Sequence, residues 1–228
     1  MKRNWNLSFL LLFGLMLAVT TASATPTLHL YYNGPGGPSL GGIYTYPYSF
    51  QIGGSGPYQL ICDTFTRDIN PGDSWDAYAR NMASLTSSNV SNLFYGTVNG
   101  GGAGAVQYYM AAALLFEDAR TTPGNAPEDN WAIWFMFNPS ATTGSPNWAT
   151  ISLGEQGTIQ AYATAAELAA ASDNPSQFSH VVIYTPVDGI GQEFFGYDTP
   201  STPEPSTLVL LGSGILGLAG ILRKKVIG

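Results

Sequence analysis

The chain has 228 residues, 45% of them hydrophobic and only 10% charged, with a formal net charge of −7. Five of its eight basic residues lie in the two ends, so residues 25–202 keep three arginines, no lysine and fourteen acids, a formal charge of −11. Such a surface repels phosphate backbones and excludes nucleic acid as a partner. The missing lysine excludes Schiff-base chemistry and any lysine-donated crosslink from within the domain, because arginine stays protonated, and the single cysteine, Cys62, excludes an intrachain disulfide.

Lys2 and Arg3 precede an apolar stretch over 7–19, and Ala22-Ser23-Ala24 follows. Basic start, short apolar run and small residues at the two recognition positions, Ala22 and Ala24, are the pattern of a secretory signal peptide over 1–24. The stretch is short for a comfortable membrane span. The Sec translocon and signal peptidase are the partners this implies, with the mature chain starting at Thr25. The length of 25–202 suits one domain with a real core.

Residues 27–32 read as a first strand and 34–38, rich in glycine and proline, as a loop. Tyr44, Tyr46, Tyr48, Phe50 and Ile52 then alternate with small or polar residues, which predicts a strand with one aromatic face. That face is expected in the core, with a sugar-stacking platform as the functional alternative. Pro47 lacks a ladder donor and predicts an edge strand or a bulge. Residues 58–62 read as another strand. The run Asp68-Ile69-Asn70-Pro71-Gly72-Asp73 has part of the spacing of a calcium loop, but Ala79 stands where the bidentate glutamate belongs. A turn into a helix capped by Asp73 or Ser74 fits better.

The spacing changes to helical over 75–85 and, more strongly, over 103–119. Pro127 suits a first helical turn, with Glu128 and Asp129 beside the positive end of the helix dipole, and this helix stops before Pro139. Residues 156–171 predict another helix, and 181–184 with 193–197 a hairpin. Strands, then helices, then strands predict an α+β fold.

Neither His29 nor His180 lies in a metal-binding motif, and no Gly-x-Ser-x-Gly elbow occurs in 25–202, so the sequence assigns no metal, cofactor or catalytic residue. Fourteen acids can pair by accident, which leaves a glycoside hydrolase only as a remote alternative. Leu60-Ile61-Cys62-Asp63 and Asn130-Trp131-Ala132-Ile133-Trp134 together resemble, loosely, the two elements of thioester domains in bacterial surface adhesins. The resemblance implies an internal thioester between a cysteine and a glutamine, formed to capture an amine on another surface. Cys62 matches its cysteine, Ala132, Ile133 and Trp134 match its Ala-Ile-Trp run, and Asn130 stands at the glutamine position. Read without it, Cys62 is a buried, inert thiol and the tryptophans are core anchors.

Pro203-Glu204-Pro205 is followed by an apolar stretch over about 207–222 and by Arg223, Lys224 and Lys225. The basic cluster would leave a spanning helix with its C-terminus in the cytoplasm. The triplet, glycine-bearing apolar segment and basic end resemble the PEP-CTERM signal, over residues 203–228. What that resemblance implies is processing by an exosortase of a Gram-negative bacterium, transient anchoring in the inner membrane, and delivery to the cell surface or extracellular matrix. The expectation is a non-enzymatic surface or matrix protein, associated with exopolysaccharide, with a carbohydrate-binding or adhesive module as the alternative.

Overall fold

The computed structural model describes residues 27–197. The signal-peptide positions Ala22 and Ala24, the triplet Pro203-Glu204-Pro205 and the cluster Arg223-Lys224-Lys225 lie outside the described residues. Among the described residues no helix is long and apolar enough to cross a membrane.

Among the described residues eight strands and four α-helices make an α+β domain. The strands are β1 (Thr27–Pro35), β2 (Ser39–Leu40), β3 (Ile43–Tyr44), β4 (Tyr48–Ile52), β5 (Ser55–Cys62), β6 (Ser74–Asn81), β7 (Val181–Pro186) and β8 (Phe194–Tyr197). Six of them close a barrel in the order β1-β4-β5-β8-β7-β6, every neighbouring pair antiparallel. Between β6 and β7 run the helices α1 (Gly102–Thr121), α2 (Ala126–Phe137), α3 (Pro139–Thr143) and α4 (Leu153–Ala170).

Closure of the sheet decides the role of Pro47. β4 has a hydrogen-bonded neighbour on each side, so it is no edge strand; Pro47 stands just before it, outside the ladder, and the register shift between Phe50 and Ile52 lies at the strand's other end. The aromatic face belongs to the core: Tyr46, Tyr48, Phe50 and Ile52 are buried, and only Tyr44, on the separate strand β3, stays 55% exposed. Inside the barrel the Phe50 ring packs 4.8 Å from Phe194 and 5.7 Å from Trp75. Edge-on aromatic contacts of this kind add to the free energy of apolar burial.

The stretch 75–85 is not a helix. Residues 74–81 form β6, in which Trp75 and Ala77 point into the barrel while Asp76 and Tyr78 face out. A period of two between two neighbouring strands outweighs the modest helix propensity of its alanines. Asp73 caps no helix either; its carboxylate accepts from the Asn70 N–H at 2.7 Å and closes a turn ahead of β6. A 3-10 turn over Met82–Ser84, capped by Asn81, follows the strand.

The alternating stretch 44–52 is divided between β3 and β4, and β2 and α3 are elements the sequence did not mark, while the other strands and the long helices lie close to their expected positions, with β7 and β8 pairing as the expected hairpin. α1 lies on the barrel through Tyr109 against Phe195 at 5.8 Å and Phe116 against Tyr197 at 5.2 Å. α2 is apolar nearly all round, with Trp131, Ile133, Trp134 and Phe137 buried, which fits its place between α1, α4 and the barrel end. The Trp131 indole N–H donates to the Leu40 carbonyl at 3.1 Å and ties α2 to the β2–β3 hairpin.

Candidate functional site

Cys62 is the last residue of β5 and pairs with Phe194, the first of β8. Two residues before Phe194, the chain delivers Gln192 to the same barrel end. The Cys62 thiol and the Gln192 side-chain oxygen are 3.1 Å apart, both residues buried and 130 positions apart in sequence. A carbonyl bond is about 1.2 Å long, so the amide carbon of Gln192 lies within roughly 4.4 Å of the sulfur. The Gln192 amide nitrogen donates to the Arg67 carbonyl, which fixes which end of the carboxamide meets the thiol.

Gln192 reaches this position because of the residue before it. A side chain on Gly191 would meet the Trp75 indole at 2.7 Å, so the loop can lie on that ring only with glycine there. Arg67 holds the loop from the other side, donating to the Gly191 carbonyl at 2.6 Å while its guanidinium covers the Phe94 ring at 4.4 Å.

Asn130 does not face the sulfur. Its side-chain N–H donates to the Cys62 backbone carbonyl at 2.8 Å and its oxygen accepts from the Tyr46 N–H at 3.0 Å. It therefore holds the end of β5 to α2 and to the bend between β3 and β4, and the carboxamide beside the thiol belongs to Gln192. Nothing local marks Gln192: it stands as one of two polar residues, with Glu193, before the apolar pair Phe194-Phe195. Only the pairing of β5 with β8 reveals it.

Burial pushes the Cys62 thiol well above its ordinary pKa, and the Asp63 charge adds to the rise, against the Thr64 N–H and the Trp134 indole, which favour the thiolate. The thiol is thus protonated at neutral pH and has two acceptors in reach, the Gln192 side-chain oxygen at 3.1 Å and the Thr64 carbonyl at 3.5 Å. The Thr64 N–H donates to the sulfur at 3.3 Å.

On the far side of the two strands, the next residues form a second pair, Asp63 and Glu193, both fully buried. Glu193 accepts from the Tyr109 hydroxyl at 2.5 Å, from the Phe94 N–H at 3.1 Å and from the Thr185 hydroxyl. Asp63 accepts from the Thr64 hydroxyl at 2.9 Å, and burial followed by the Glu193 charge raises its pKa well above the carboxylate range. The hydrogen bonds of Glu193 to Tyr109, Phe94 and Thr185, with that of Asp63 to Thr64, pin the strand ends that carry Cys62 and Gln192.

The thiol and the carboxamide open onto a cavity of about 230 Å³, walled by Tyr32, Tyr44, Phe65 and Trp134 with Asp68 among its lining residues. Among the described residues no group of three His, Cys, Asp or Glu side chains could hold a metal ion.

Residues 201–224 match the PEP-CTERM protein-sorting motif. The chain thus carries the sorting signal of an exported protein, and the motif implies exosortase as its processing partner. No curated protein matches the sequence. Among solved structures the chain is similar to the N-terminal thioester domain of fibronectin-binding protein SfbI from Streptococcus pyogenes, at 11% identity over 76% of this chain and 94% of that one, with a TM-score of 0.47. It is also similar to the N-terminal domain of the Streptococcus pyogenes pilus tip adhesin Cpa, at 14% identity over 78% and 96%, with a TM-score of 0.47.

Proposed function

We propose that this is an exported surface or matrix protein whose barrel domain attaches covalently to a partner through an internal Cys62–Gln192 thioester. The observation that carries the reading is the 3.1 Å approach of a buried thiol to a buried glutamine carboxamide held by its own nitrogen. Cys62 sulfur attacks the Gln192 amide carbon, a carbon–sulfur bond forms, the carbon–nitrogen bond breaks, and the amide nitrogen leaves as ammonia with the thiol proton. An incoming primary amine then attacks the same carbon. The carbon–sulfur bond breaks, its electron pair goes to sulfur, and the proton lost by the amine restores the thiol.

Each domain makes one bond and is consumed by it, so the activity is adhesive rather than enzymatic. The approach of the sulfur to the carboxamide accelerates the first step, which in free solution would be negligible. Exosortase processing after Sec export would place the domain at the cell surface or in an exopolysaccharide matrix, where a permanent bond resists shear. The aromatic strand face that could have stacked sugars is core, which favours covalent attachment over carbohydrate binding.

The test is labelling with a tagged primary amine. The wild type is expected to carry the tag through boiling in denaturant, with the adduct on Gln192 by peptide mass spectrometry. Cys62→Ala and Gln192→Ala should take none, while Asn130→Gln should not shift the adduct to residue 130. Equal labelling of wild type and Cys62→Ala would overturn the proposal.

A further inference from the structure

Resting on that reading, we infer that the Trp134 indole N–H and the Thr64 backbone N–H form a donor pair that receives charge on the Cys62 sulfur whenever the bond to Gln192 forms or opens. The place where that charge appears does not favour it. The thiol is buried, and the neighbouring residues Asp63 and Glu193 are buried acids. Arg67, the cation on the cavity lining, is engaged by the Gly191 carbonyl and the Phe94 ring. A negative sulfur in such a position depends on donors already aimed at it.

Helix α2 aims one of them. Asn130 and Trp134 stand one helical turn apart and share a face of α2, and the Asn130 side chain is bonded to the Cys62 backbone carbonyl at 2.8 Å. That grip brings the next turn of the helix beside the Cys62 side chain, so that Trp134 lines one cavity with Cys62, Thr64 and Gln192. The ring is held there by Trp131, edge-on at 5.2 Å, and by Phe65 at 5.4 Å.

Nothing else takes the Trp134 N–H. The residue is only 2% exposed, yet its buried indole nitrogen has no hydrogen-bond partner of ordinary geometry among the described residues. Trp131, on the same helix, gives its own N–H to the Leu40 carbonyl at 3.1 Å. A buried donor without an acceptor is costly, and donors that serve a reaction often stand long at rest and tighten as charge develops. The group Trp134 acts on is the sulfur, whose thiolate it favours, and the Thr64 N–H already donates to the same atom at 3.3 Å. When an amine or water attacks the Gln192 carbon, the carbon–sulfur bond breaks and its electron pair passes to sulfur between the two N–H groups. Both donors keep their protons, and the proton lost by the nucleophile restores the thiol. In formation the same pair favours the attacking thiolate.

The experiment follows the mature exported protein by intact mass, first for the loss of about 17 Da as the thioester forms, then for opening of the formed bond by methylamine and, separately, by water. Trp134→Phe removes the N–H and keeps a ring against Phe65 and Trp131. Both openings are expected to slow by the same factor, roughly ten- to hundredfold, because both expel the same sulfur. A role in packing alone predicts the reverse for water, since a loosened wall speeds hydrolysis. Replacing Trp134 with 3-benzothienylalanine exchanges only the N–H for sulfur and should reproduce the slowing at an unchanged urea midpoint; failure of this folded variant to load at all is the same slowing carried to its limit. Wild-type rates of loading and opening in that variant, or faster hydrolysis, would overturn the inference while leaving the thioester standing. No mass deficit in the wild type would remove the thioester and the inference together.

Discussion

Asp129 shows what burial does to a carboxyl in the first turn of α2. Both of its oxygens are buried, and desolvation, followed by the charges of Asp118 and Glu128, raises its pKa to about 8. An unfolded aspartate titrates near 3.9. Between these values the folded chain holds a proton that the unfolded chain has released, so this group's contribution is full below about pH 4 and is lost as the pH rises to 8. Stability should therefore fall across that window, by at most roughly 1.4 kcal/mol per pH unit from this residue. Asp129→Asn keeps the shape without the charge, and its urea midpoint should depend less on pH than that of the wild type. Parallel pH profiles would show that Asp129 is ionised in the fold.

At the same scale, the sequence marked Cys62 and missed its partner. Cys62 is conspicuous because it is alone, and Asn130 because it stands two residues before the Ala-Ile-Trp run. Gln192 has no such local mark, since what selects it is a strand pairing across 130 positions. The residue that proved to be an anchor, Asn130, was found for its neighbours in sequence rather than for its own bonds.

Among elements, the long helices α1, α2 and α4 and the β7–β8 hairpin were legible because each carries its own periodicity and its own breakers: Pro127 and Pro139 bracket α2, and the Gly-containing turn divides the hairpin. β6 was not, since its alternation of Trp75, Ala77 and Ala79 with Asp76, Tyr78 and Arg80 competes with apolar residues that also fit helical spacing. Its identity comes from β1 and β7 on either side. The loop before β8 is the element on which the site depends most. Gly191→Ala would drive a methyl group into the Trp75 indole, costing about 1–3 kcal/mol and displacing Gln192. Denaturant titration should show the loss of stability, and amine labelling should fall more than the folded fraction does. Unchanged labelling would mean that the loop position is not set by that contact.

For the whole molecule, the α+β class was readable from the order of the expected elements and the sorting motif from its own residues, while closure of the barrel was not, because a closed sheet leaves no signature within any one strand. The sorting motif over 201–224 supplies a test of delivery that is separate from the chemistry. Replacing Pro203 and Pro205 with alanine leaves the apolar length and the Arg223-Lys224-Lys225 cluster unchanged, so a plain anchor would behave as before. The double variant is expected to accumulate unprocessed at the inner membrane in a host with exosortase, while the wild type loses its tail. Identical size and location for both would leave only an anchor.

The account stands or falls most directly on the intact mass of the freshly exported protein, measured with thiol labelling under denaturing conditions. A Cys62–Gln192 thioester requires a mass about 17 Da below that of the processed chain, from loss of ammonia, and no free thiol until an amine or hydroxide opens the bond. Cys62→Ala should show no deficit. The full mass with one labelled thiol in fresh wild-type protein would contradict the central claim and leave Cys62 as a buried, inert residue.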